Sequence, residues 1–106
     1  MNENDAVAAT CYGHYAAFQT FRAETGQTKW VEQEHHIQLF VSAFENALQG
    51  GQQGQPIRAI ASKARDQTLE TLHRIVAGKD VDLGNSFLAS RESLCMGSIG
   101  LGPDDR

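Results

Sequence analysis

Glycine punctuation constrains this chain more than any other feature. Gly26, the run from Gly50 to Gln55, and Gly78 set off three stretches, each with apolar residues at three- and four-residue spacing. From about Asp5 to Thr25, Val7, Cys11, His14, Phe18 and Phe21 share one face, and Asn4 or Asp5 suits the N-cap. From about Lys29 to Leu48, the stripe is Trp30, Ile37, Val41, Phe44 and Leu48, flanked by Phe40. The third stretch opens at Pro56, which has no N–H to leave unpaired in a first turn. It carries Ile57, Ile60, Ala61, Ala64, Leu72 and Ile75, with Thr68 and Thr71 in the stripe, and Gly78 fits its C′ position. Short connections make successive helices antiparallel. The expectation is an all-α fold, an antiparallel bundle of three main helices over residues 1–78. Residues 79–93 read as a linker or short helix, and 94–106 as an extended tail.

At 106 residues the chain is one domain, and three helices give it a thin core. The aromatic first helix offers more apolar area than one neighbour needs, so completion by a homodimer is expected. A net charge of -4 argues against a nucleic-acid or polybasic membrane binder. No apolar run reaches the ~18–20 residues of a membrane helix. The acidic start, Met1 to Asp5, does not resemble a secretory or transit peptide. A cytoplasmic protein with Cys11 and Cys95 as two free thiols is the resulting expectation.

Near the C-terminus, Leu94, Met96, Gly97, Ser98 and Ile99 follow a distinctive order: leucine, a variable residue, an apolar residue, Gly-Ser, and another apolar residue. This segment resembles the C-terminal targeting peptides of encapsulin cargo proteins, with Leu101 as a further apolar contact. The resemblance covers only these few residues, and Gly100 stands where a basic residue often follows the motif. It implies an encapsulin shell protein as partner, apolar side chains seated in pockets of its inner wall, and a role in iron storage or iron redox chemistry. In such a mode glycine lets the backbones approach closely.

Two Glu-x-x-His motifs bear on that role: Glu32 with His35, and Glu70 with His73. The spacing sets a carboxylate and an imidazole one turn apart, as in di-iron sites of helical bundles. At ~100° per residue, however, both pairs point away from the apolar stripes of their helices. Within one chain they face solvent, and a metal site needs a second copy to cover them. Glu34 lies at the edge of a stripe, either as a boundary residue or as a ligand in such an intersubunit site.

A flavin is the competing cofactor. Tyr12, Tyr15 and Trp30 supply aromatic surface, while the Gly-rich loop and Arg58 could take a phosphate, although the loop is not a Walker motif. Iron, a flavin and no cofactor all stay open. Cys11 and His14 have ligand spacing, but two ligands do not make a zinc site, and a core histidine bonded to a neighbour is the expected state. Gly13 inside a helix suggests close approach of another helix or of a flat ligand. No hydrolase motif stands out. Two functions are therefore expected: an encapsulin cargo acting as an iron-related oxidoreductase, or a small dimeric interaction module without a cofactor.

Overall fold

The computed structural model describes residues 3–50 and 54–100. Its elements are α1 (Glu3–Thr25), α2 (Val31–His35), a 3-10 turn (His36–Leu39), α3 (Val41–Leu48), α4 (Gly54–Val76) and α5 (Val81–Ser98). The described residues are all-α, with no strand. Among them, no helix is long and apolar enough to cross a membrane.

Packing is organised by α1 against α4. The two run in the same direction, since Gly13 meets Ala61, His14 bonds Thr68, and the Phe21 ring meets that of His73. A ridge of small residues makes this close approach possible: Ala9, Gly13 and Ala17 on α1 face Ala61 and Ala64 on α4, and all are buried. A Cβ on Gly13 would fall on the Ala61 carbonyl oxygen and lie 2.9 Å from its carbon. Gly13 thus admits the backbone of another helix, the first of the two roles expected for it.

The middle stretch runs back antiparallel to α1, with Trp30 beside Phe21, Phe40 beside Tyr15, and Phe44 on Tyr12. It is not one helix. The buried residues Glu34, Ile37 and Phe40 follow at spacings of three, the repeat of a 3-10 helix, and the backbone tightens there accordingly. Gly26 and Gly78 end their helices in the left-handed region, each at φ 75°. At Gly78 the following Lys79 N–H donates to the Arg74 carbonyl at 2.9 Å, a Schellman closure.

The C-terminal expectation needs correction. Residues 81–98 are helical, so the segment from Leu94 to Ser98 is the last part of α5 and not an extended tail. Gly84 packs against Ile75, Arg91 reaches Gln67, and Cys95 joins Cys11, so α5 runs antiparallel to both α4 and α1. This fourth arm adds Leu88, Cys95 and Met96 to the core cluster around Tyr15 and Phe18. The free-thiol expectation also fails: Cys11 and Cys95 form a disulfide across 84 residues, both fully buried. Leu101 lies outside the described residues, as do residues 51–53 of the Gly-rich loop.

Candidate functional site

The four residues of the Glu-x-x-His motifs lie on α2 and α4, and all are exposed. Glu70 is paired with Arg74 one turn on, at 3.2 Å. His73 rests edge-on against Phe21, with Nε2 3.5 Å from Glu24. Among the described residues, no group of three or more His, Cys, Asp or Glu side chains is placed to hold a metal. One chain therefore does not gather Glu32, His35, Glu70 and His73 into a centre, in line with the solvent-facing wheels. Glu34 is buried and accepts two hydrogen bonds from Arg22, at 2.6 and 2.7 Å. These bonds hold its carboxyl below the usual range, with the Arg22 and His35 charges adding to the effect against burial.

The aromatic set divides. Tyr15 is fully buried between Phe18 and Phe40, and its hydroxyl has no hydrogen-bond partner. Burial, and then the Glu92 charge, push its pKa up. Trp30 packs edge-on against Phe18 and Phe21 and does not line the cavity that Arg58 borders. Tyr12 stacks on Phe44 at 4.2 Å between ring centroids, nearly parallel. Tyr12 and Arg58 do come together: with Phe44, Leu48, Ser62 and Arg65 they line a cavity of about 260 Å³ where α1, α3 and α4 meet. Phe44 was legible only as a core position.

A buried polar centre sits under α5. The His14 Nδ1 lies 2.7 Å from the Thr68 hydroxyl, which satisfies the expectation of a hydrogen-bonded core histidine. Burial, aided by the Arg91 charge, holds the His14 pKa down at about 3. Arg91 lies over the Phe87 ring at 4.9 Å and donates to Gln67 at 3.2 Å, but its second terminal nitrogen has no partner. The His36 Nδ1 is likewise buried and 3.9 Å from Glu92, beyond hydrogen-bond reach. Gln33, Asn85 and Glu92 join His14 and Trp30 around a smaller cavity of about 210 Å³.

The C-terminal candidate residues separate by role. Met96 is partly buried and packs against the core cluster. Leu94 and Ile99 remain 46% and 37% exposed, and they line one groove with Leu39, itself 46% exposed. Together with Gly97, Ser98 and the start of α1 they border an open groove of about 470 Å³. No position on Gly97 is crowded: a Cβ there would touch nothing within 4 Å. The Ser98 hydroxyl donates to the Cys95 carbonyl at 2.7 Å, closing the last turn. No protein family, curated protein or solved structure matches this chain.

Proposed function

We propose that this chain is a small helical interaction module that docks on a larger protein through Leu39, Leu94 and Ile99. The observation that carries this reading is the clustering of three large, exposed apolar side chains around one open groove. Such patches on small soluble proteins mark interaction sites more often than isolated exposed leucines do. The resemblance to encapsulin targeting peptides selects Leu94, Gly97, Ser98 and Ile99 independently, which makes an encapsulin shell protein the partner to test. The cargo role would follow from that docking. The iron chemistry that the resemblance implies would join Glu32, His35, Glu70 and His73 across two copies. Saturable ferrous binding by a dimer, abolished in His73→Ala, is its check.

The docking test uses the intact protein co-produced with an encapsulin shell protein. Co-elution with the assembled shell is expected for the wild type, and its loss in Leu94→Asp and Ile99→Asp. Both side chains are substantially exposed, so the circular dichroism melt of each variant should stay close to that of the wild type. Gly97→Ala gives a sharper arm. Nothing inside the domain opposes the added methyl, so the fold tolerates it, whereas a partner backbone lying on Gly97 does not. If shell association survives all three substitutions, this surface is not the docking site.

A further inference from the structure

We infer that the cavity bordered by Tyr12, Phe44, Arg58, Ser62 and Arg65 is a binding site for a small aromatic anion. The walls divide cleanly by chemistry. One side is the stacked Tyr12–Phe44 pair, and Gly13, Ala16 and Ala61, small residues at the close contact of α1 with α4, complete the apolar lining. The other side is one face of α4, where Arg58, Ser62 and Arg65 follow at spacings of four and three and so project together. Both guanidiniums are available. Arg58 has no ion-pair partner among the described residues, and Arg65 has only its exposed sequence neighbour Asp66, at 3.4 Å.

Two arginines that no buried carboxylate neutralises are notable in a chain of net charge -4. They form a local positive field at the rim of an otherwise apolar hollow. Guanidinium forks match the paired oxygens of a carboxylate or phosphate, and the Ser62 hydroxyl lies between them as a further donor. A ligand with an anionic end and a flat apolar body satisfies both walls at once. Size narrows the class. At about 260 Å³ the cavity falls below the roughly 300–1,000 Å³ of drug-sized pockets, which favours one ring over a dinucleotide or a flavin. The site lies apart from the Leu39, Leu94 and Ile99 surface and does not depend on it.

The test is a titration followed by backbone amide chemical shifts, with phenyl phosphate, inorganic phosphate and phenol as separate probes. Phenyl phosphate is expected to saturate, with shifts concentrated on residues 12–16, 44–48 and 58–65, and to bind at least tenfold tighter than either half alone. Arg58→Gln and Arg65→Gln should each weaken it at least tenfold without moving the melting temperature, because both side chains are exposed. Arg58→Lys should restore part of the loss. Phe44→Ala should weaken phenyl phosphate while leaving inorganic phosphate unchanged. Equal affinity for inorganic and phenyl phosphate would overturn the inference, since that outcome marks an anion on the α4 surface. Shifts that do not saturate, or that persist in both arginine variants, would overturn it as well.

Discussion

Replacing Gly13 by alanine pits two effects of opposite sign against each other. In a helix interior, glycine to alanine is worth about 1 kcal/mol of added stability. Against this, the new methyl meets the backbone of α4: its carbon would fall on the Ala61 carbonyl oxygen and 2.9 Å from the carbonyl carbon. A backbone carbonyl inside a helix cannot rotate away as a side-chain end could. α1 and α4 must therefore separate by about 1 Å, a gap that forfeits a quarter to a half of each contact it opens. Those contacts include the fully buried Ala9, Ala17, Ile57 and Thr68. Overpacking of a tight core costs about 1–3 kcal/mol even where side chains give way, and here they cannot. The expected net effect is a loss of about 2 kcal/mol, or about 8–16 °C in melting temperature for a domain of this size. Gly97→Ala is the internal control, because the same exchange in open space should be neutral or stabilising by up to about 1 kcal/mol. Urea unfolding of both variants beside the wild type measures the difference. If Gly13→Ala proves as stable as the wild type, the close helix crossing is not the organising contact of the fold.

Three further outcomes are expected. Replacing Cys11 and Cys95 together by serine frees a loop of 84 residues and should lower stability by up to about 4.6 kcal/mol from loop entropy, checked by urea unfolding of wild type and variant. Stability should fall with acid because of His14: an unfolded histidine binds a proton near pH 6.5, the folded one only near pH 3, so the loss grows by up to about 1.4 kcal/mol per pH unit across that window. His14→Gln, which still offers Thr68 a partner, should flatten that slope in a series of denaturant melts. Tyr15→Phe removes a buried hydroxyl without a partner and should be neutral or stabilising by about 1 kcal/mol, whereas a loss of more than that by calorimetry would show that the hydroxyl is bonded.

What the sequence made legible follows the chemistry of each stripe. α1 and α4 carry plain apolar periodicity, and glycines close them where expected, so both were readable. The middle stretch was harder because Glu34, Ile37 and Phe40 repeat every three residues, which an α-helical template smooths into one long helix. α5 was legible only as a linker or short helix over residues 79–93, for a different reason. Its inward positions are Gly84, Phe87, Arg91, Cys95 and their neighbours, helical in spacing but mostly not hydrophobic. Phe87, Leu88, Arg91 and Leu94 read as a short helix, but its length and its inward Gly84 and Cys95 become plain only through tertiary contacts: the disulfide, the Arg91–Gln67 bond and the Gly84 packing. The cofactor residues divided for a similar reason: Tyr12 and Tyr15, three positions apart, point to different neighbours once Tyr15 is drawn into the core.

The disulfide also bears on how the C-terminal segment could be read by a shell. Cys95 occupies the variable position of the targeting-like motif, and here it is fully buried and bonded to Cys11. A peptide docking in extended form must leave the helix from Leu94 onward, which draws Cys95 out of the core. While the bond is intact its Cα stays 5.6 Å from that of Cys11, so the oxidised protein cannot draw Leu94 to Ile99 out of the core together as one extended segment. Once the bond is cut, extended docking competes with the last turn of α5, which the Met96 packing and the Ser98 bond still favour. We expect oxidised and reduced protein to associate with an encapsulin shell equally, the mark of helical presentation. The measurement is shell co-sedimentation over a concentration series, with circular dichroism reporting whether the reduced chain keeps its helices. Association at least tenfold stronger on reduction would refute helical presentation and assign the docking to an unwound segment. Absence of association in both states would remove the shell as a partner.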